Sequence, residues 1–262
     1  MIRKELFLIA GLLVNFKNMT MNPEVLQKIG KQIWHNEAGG SQEHLVFWNE
    51  KESSPSLGIG HNIWCPEGHE IAYTQGFPLL CDYLKQHNIA LPAWLEEALK
   101  KGAPWNNRQA FYSDQARTQE LHQLLVDTVP LQTQFMVDRL THKLAEIIQA
   151  APVEQRNKIE QRINLMRTSP LGIYILVDYL NFKGDGLNPK EESNGLRWGM
   201  LSVLLDMPDN LTSENVTKAF TIAAAKRLLL LIEHSAPEYQ RLNFLGGWMK
   251  RLSTYTKQDI LD

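Results

Sequence analysis

Residues Phe47–His61 read FWNEKESSPSLGIGH. Two carboxylates (Glu50 and Glu52), a Pro-Ser bend, two glycines one residue apart and a histidine fall within this one stretch. Proline, serine and glycine at this density break helical period, and the alternating Gly58 and Gly60 strip side chains from one face of a short extended segment. The stretch therefore reads as loops and short strands set among helices. The glycines are no dinucleotide fingerprint, because a third glycine and a strand–helix unit around them are missing.

On either side the pattern is helical. Asn22-Pro23-Glu24 offers a capping residue, a proline for the first helical position and an acid near the positive helix end. Val25, Ile29 and Ile33 continue at helical spacing, and Gly39-Gly40 is a natural stop. Residues 41–78 lack helical period. Beyond them the spacing predicts helices over 93–101, 115–127, 131–150, 153–167, 173–181, 196–205, 213–234 and 248–255. No repeat, low-complexity run or separating linker interrupts residues 22–262, which read as a single domain. The expected fold class is mostly α, α+β in the broad sense: a helical lobe with a small β-hairpin insertion near the N-terminus that forms one wall of a cleft.

The chain has 262 residues, 44% hydrophobic and 21% charged, with a net charge of −2. That balance gives no overall basic field of the kind that attracts nucleic acid. Charge is uneven, however. Between Lys226 and Lys257 six cations (Lys226, Arg227, Arg241, Lys250, Arg251, Lys257) face two acids, Glu233 and Glu238. Such an excess suits either a solvated helix face or an anionic polymer. Cys65 and Cys81 allow at most one disulfide, and Cys81 in LLCDYL reads as a small buried apolar residue. His35, Glu37, His44 and His61 cluster in sequence, but His35 and Glu37 point to different helix faces and no HExxH is present, so neither a metal nor another cofactor is expected.

Residues 1–21 contain basic residues and then an apolar run, Leu6 to Val14, of signal-peptide length. The run is too short to span a membrane, and no small-x-small cleavage site closes it. Residues 1–21 are thus a signal-like or untranslated leader. The expectation is a monomer without a stable membrane span, periplasmic or secreted, with a cytoplasmic protein as the alternative.

Glu37 lies on the i, i+4 row of Val25, Ile29 and Ile33. A carboxylate ending a buried stripe is costly unless partnered or protonated. The negative helix end and the neighbouring Trp34 indole both disfavour its charged form, the conditions that suit a general acid. A small rotation of the helix would instead leave Glu37 in solvent, and periodicity alone leaves both readings open.

The Glu37 helix followed by Ser56-Leu57-Gly58-Ile59-Gly60-His61 resembles the catalytic region of bacteriophage-type lysozymes. In that family a helix ends in the catalytic Glu, and a strand-rich insertion then carries an acidic residue and a Thr/Ser-x-Gly-x-Gly-His segment. LVDYLNFKGDG (Leu176–Gly186) and GLRWGMLSVLLDM are similar to later helices of these enzymes, and GGWMKRLSTY (Gly246–Tyr255) to their closing Gly-rich turn and basic helix. The resemblance is specific over 22–64, looser over 172–206 and 245–256, and absent over roughly 80–170. It implies a lysozyme-like fold and a peptidoglycan hydrolase that cuts the β-1,4 bond of cell-wall glycan. Glu37 would be the general acid, and Glu50, six residues before Ser56, the second carboxylate, with Glu52 as its substitute. Asp is usual at the Glu50 position, and the span from Glu37 to Glu50 is longer than usual. Ser56 would hold the attacking water.

His61 would be a structural histidine beside the substrate. Trp48, Trp64, Tyr179, Asn181 and Phe182 are candidates to line a glycan groove, with Lys183 meeting a peptide-stem carboxylate. The expected partner is peptidoglycan or a related amino-sugar glycan. Two further readings stand beside the muramidase: a lytic transglycosylase, which needs only Glu37, and a lysozyme-fold module that binds glycan or a partner without cutting it.

Overall fold

The structure, a computed structural model, describes residues 22–39, 42–50, 52–69, 75–189, 192–235 and 241–257. The leader expectation for residues 1–21 lies outside these. The described chain is mostly helical, with one three-stranded antiparallel sheet. It forms two compact units, residues 22–136 and residues from 137 onward, and the boundary falls within the helix Val129–Ala150.

In the first unit, helix α1 (Pro23–Ala38) starts as its sequence dictates. The Asn22 side chain accepts a hydrogen bond from the Glu24 N–H at 2.9 Å, and Pro23 occupies the first turn, where a missing N–H costs nothing. Ile29 and Ile33 are fully buried and Leu26 nearly so. Gly39 closes the helix at φ 63°, its N–H returning to the His35 carbonyl at 2.9 Å. Strands β1 (Val46–Phe47), β2 (Ser56–Leu57) and β3 (Asn62–Ile63) follow in the order β1-β2-β3. Their register pairs Val46 with Leu57, Phe47 with Ser56, Ser56 with Ile63 and Leu57 with Asn62. Gly58 opens the β2–β3 turn at φ 75°, and the His61 N–H closes it on the Gly58 carbonyl at 3.1 Å.

Two helices of this unit lie outside the periodicity reading. Helix α2 (Gly76–Gln86) buries Phe77, Leu80, Cys81 and Leu84 on one stripe, a pattern blurred in sequence by Pro78 in its first turn. Helix α4 (Arg108–Ser113) is too short to show a period, although Asn107 caps it by accepting from the Ala110 N–H at 2.9 Å. Helix α3 (Ala93–Ala98) is a residue triplet shorter than its pattern suggests, and α5 (Gln115–Asp127) matches. Helix α6 (Val129–Ala150) then begins, with Pro130 in its first turn.

What locks the β2–β3 turn is Gln132 on α6. Its Oε1 accepts from the Ile59 N–H at 3.0 Å, and its Nε2 donates to the Leu125 carbonyl at 2.7 Å and to Thr128 Oγ1 at 3.1 Å. The chains approach too closely for a side chain on Gly58, where a Cβ would sit 2.4 Å from Gln132 Oε1. Gly30 of α1 is equally constrained, since a Cβ there would lie 2.1 Å from Thr133 Oγ1.

The second unit is built around α8 (Pro170–Lys183), capped by Ser169, whose hydroxyl accepts from the Gly172 N–H at 3.1 Å. Every residue from Leu171 to Tyr179 is buried, so this helix has neighbours all round and no polar face over that length. Helices α7 (Arg156–Met166), α9 (Met200–Asp206), α10 (Val216–Glu233) and α11 (Leu245–Ser253) complete the unit. Gly246 and Gly247 fall in the first turn of α11, not in a turn before it. Buried Asp178 on α8 receives two hydrogen bonds from Arg251, both 2.8 Å, and one from the Tyr255 hydroxyl at 2.5 Å. Cys65 and Cys81 are buried free thiols, and burial pushes the Cys81 thiol well up from its ordinary value.

Two substitutions test these anchors. Gln132→Leu leaves the buried Ile59 N–H and Leu125 carbonyl unsatisfied and is expected to cost about 2–4 kcal/mol in urea unfolding. Asp178→Ala strands the Arg251 guanidinium and is expected to cost about 3–5 kcal/mol.

Candidate functional site

Glu37 sits on the last turn of α1, and its side chain is only 15% exposed. The solvent-facing alternative is thereby excluded. His61 comes to it from the β2–β3 turn: His61 Nδ1 lies 3.9 Å from Glu37 Oε2. The helix end and the S-L-G-I-G-H turn, separate in sequence, thus meet through these two side chains. His61 takes its place at φ 47°, a left-handed conformation that a non-glycine residue adopts only where surrounding structure enforces it. Gln132 of α6 supplies that enforcement at Ile59, two residues before His61 in the turn.

The two other acids are placed differently. The Glu50 side chain is 80% exposed, and its carboxylate faces Arg108 of α4 at 3.7 Å. Glu52 is also exposed, yet its Oε2 accepts from the buried Ser56 hydroxyl at 3.5 Å. Of the two carboxylates in the stretch, Glu52 is therefore the one tied to Ser56. Counting back from the serine selects Glu50 instead; the chain bends at Ser53 and Ser54 and brings the nearer acid round.

Trp48 and Trp64 do not line a groove. Trp48 is 2% exposed and packs edge-on against Phe111, with its indole N–H donating to the Glu52 carbonyl at 2.9 Å. Its backbone is clamped as well: the N–H donates to Tyr112 Oη at 3.1 Å, and the carbonyl accepts from Arg108 Nε at 2.8 Å. Trp64 is 1% exposed, between Phe77 and Trp105 at 5.0 and 6.0 Å between ring centroids. Both indoles serve a core of Trp94, Trp105 and Phe111, which the short helix α4 helps to complete. A loop tryptophan beside an acid looks like a ligand platform in sequence because the α4 residues that cover it lie some sixty positions later.

Tyr179, Asn181, Phe182 and Lys183 belong to the second unit, at the end of α8. Tyr179 is also core: fully buried, edge-on to Phe220 at 5.4 Å, and donating to the Trp198 carbonyl at 2.8 Å. Burial pushes its hydroxyl far above the ordinary phenol range. Asn181 is exposed and Phe182 half-buried. Lys183 lies with its Nζ 4.3 Å from the Phe182 ring centroid and 3.7 Å from that of Trp248. Burial, then the nearby Arg251 and Arg241, bring its ammonium down from 10.5 to about 7. Trp248 and Arg241 escaped the candidate residues, although the basic C-terminal segment pointed towards them.

Elsewhere in the second unit a concavity of about 330 Å³ is lined by Asp206, Pro208, Leu211, Lys218, Ile222 and Lys226. None of the candidate residues lines it. Among the described residues no group of three His, Cys, Asp or Glu side chains is arranged to hold a metal ion, and no helix is long and apolar enough to cross a membrane. Compared with family models, with curated proteins and with solved structures, the chain matches none.

The Lys183 environment has a consequence for stability. The unfolded chain holds this proton up to about pH 10.5, and the folded one only up to about pH 7. Folding must therefore release a proton between those values, and stability rises with pH across that window. The penalty is complete below pH 7. Lys183→Met should stabilise the protein by about 2 kcal/mol at pH 6, allowing for partial solvent screening, and by progressively less towards pH 10.5, read from denaturant midpoints.

Proposed function

We propose that the protein is a glycosidase acting on the β-1,4 bond of peptidoglycan or a related amino-sugar polymer, with Glu37 as general acid. The observation that carries the reading is the meeting of a largely buried Glu37 carboxyl with His61 of the S-L-G-I-G-H turn, 3.9 Å apart. Glycosidic cleavage needs a proton delivered to the leaving oxygen and a second group to assist the oxocarbenium-like sugar. On this reading Glu37, 15% exposed at the end of α1, is the group that faces the leaving oxygen. His61 orients the carboxyl and stays out of the proton transfer to the sugar.

The second group, on this reading, is Glu52 with Ser56. The Ser56 hydroxyl directs its one proton to Glu52, so the pair offers acceptor oxygens to a water molecule. Glu50, held outward by Arg108, keeps the loop in place. The sheet β1-β2-β3 and the end of α1 then form the wall against which the sugar lies.

A second reading is favoured by one observation, the exposure of both Glu50 and Glu52. An enzyme whose further carboxylates face solvent can use the substrate's own hydroxyl, which is lytic transglycosylase chemistry with Glu37 alone.

Digestion of purified sacculi in ¹⁸O-water separates these outcomes by product mass. The expected result is released muropeptides carrying one ¹⁸O at the new reducing end. Anhydro ends without label would establish the transglycosylase, and no release from sacculi of several species would leave a binding module. In the same assay Glu52→Gln is expected to slow release by about 10²-fold or more, while Glu50→Gln slows it less than about threefold.

A further inference from the structure

The second unit holds a concentration of charge and aromatic surface around Phe182 and Lys183, which needs neither Glu37 nor the β2–β3 turn. It is formed by the last turn of α8, the 3₁₀ turn Arg241–Phe244 and α11. Lys183 Nζ rests against the rings of Trp248 and Phe182, at 3.7 and 4.3 Å from their centroids. The Arg251 guanidinium lies 4.3 Å from the same Phe182 ring, and Arg241 lies 5.1 Å over Trp198. Three cationic side chains are gathered here, and both arginines act electrostatically on Lys183.

Asp178, a carboxylate of this neighbourhood among the described residues, is engaged by Arg251 and Tyr255. Among the described residues no carboxylate oxygen lies within 4 Å of Lys183 Nζ; two ring faces take that place. Ring quadrupoles stabilise an ammonium, but less than a carboxylate does, and two neighbouring guanidinium groups oppose it. An arriving anion would relieve that opposition. The rim is apolar: Phe244, 56% exposed, stacks almost parallel on Trp248 with centroids 6.2 Å apart, and Leu242 beside it is 65% exposed.

We propose that Lys183, Arg241 and the rings of Phe182 and Trp248 form a binding site for a carboxylate whose carbon skeleton packs on the Trp248–Phe244 face. A carboxylate fits better than a phosphate because ring faces on two sides leave few donors for phosphate's additional oxygens. Binding is coupled to protonation. The free amine is half-charged at about pH 7, and the bound anion requires the ammonium, so above that pH each complex takes up a proton. The charged groups acting on Lys183 are Arg251 of α11 and Arg241 of the preceding turn. Among the described residues the group whose charge changes near pH 7 at this site is Lys183. The site is argued without Glu37 and stands or falls separately from the glycosidase reading.

The test uses the full chain with benzoate, acetate and inorganic phosphate as probes, followed by tryptophan fluorescence and by NMR. At pH 6 benzoate is expected to bind more tightly than acetate and phosphate. Its affinity should fall by about tenfold per pH unit above pH 7. Lys183→Met should weaken benzoate at least about tenfold at pH 6. Lys183→Arg should retain binding and lose the pH dependence between pH 6 and 8.5, a result that also covers the case in which the methionine variant fails to fold. Glu37→Gln should leave benzoate binding unchanged.

Absence of benzoate binding at pH 6 would overturn the proposal. So would equal affinity in wild type and Lys183→Met, or a pH response that survives in Lys183→Arg. Phosphate binding more tightly than benzoate would overturn the carboxylate assignment.

Discussion

One side-chain amide holds the candidate site together. Gln132 is buried and uses both ends: its oxygen takes the Ile59 N–H, and its nitrogen reaches the Leu125 carbonyl and the Thr128 hydroxyl. A tight glycine turn leaves backbone groups that water would otherwise satisfy, and here the turn is packed against α6, where water has little access. With Gln132 in place the turn can pack and keep its conformation. Gly58 and Gly30 are then needed for a steric reason, because any Cβ would collide with the α6 side chains opposite them. The position of His61 beside Glu37 follows from this packing.

The second unit solves the burial of charge in two ways. Arg251 enters the interior against Asp178, with three charge-assisted hydrogen bonds shared between the carboxylate, the guanidinium and Tyr255. Such a pair is held by geometry, and either member alone would be very costly. Lys183, a turn and a half further along α8, has aromatic faces in place of a carboxylate and gives up part of its affinity for the proton. A single helix thus carries one ion-paired carboxylate and, further along, one amine held against ring faces.

Much of the architecture was legible because it depends on local chemistry. The Asn22 cap, the Ile29–Ile33 stripe and the Gly39 stop define α1, and the Pro/Gly/Ser content of Phe47–His61 announces the small sheet. Glu37 was legible as an acid on the apolar row, and the structure places it largely out of solvent. The missed elements share a cause. Helix α4 is too short for periodicity, and α2 carries a proline in its first turn. The roles of Trp48, Trp64 and Tyr179 depend on residues distant in sequence that cover their rings, and nothing local distinguishes a covered indole from an open one. Gln132 was invisible for the converse reason: a polar residue early in an apolar helix looks like a surface position until its two backbone partners are known. The choice between Glu50 and Glu52 depends on the bend at Ser53 and Ser54, which residue counting cannot follow.

The central claim is that the Glu37 carboxyl delivers the proton for glycosidic cleavage. Its most direct measurement is the initial rate of muropeptide release from purified sacculi by wild type and by Glu37→Gln, with both proteins shown to be folded by their unfolding midpoints. The account predicts release by wild type and a loss of about 10³-fold or more in the glutamine variant, which keeps the shape and removes the transferable proton. Equal rates in the two proteins would contradict it and place the chemistry elsewhere.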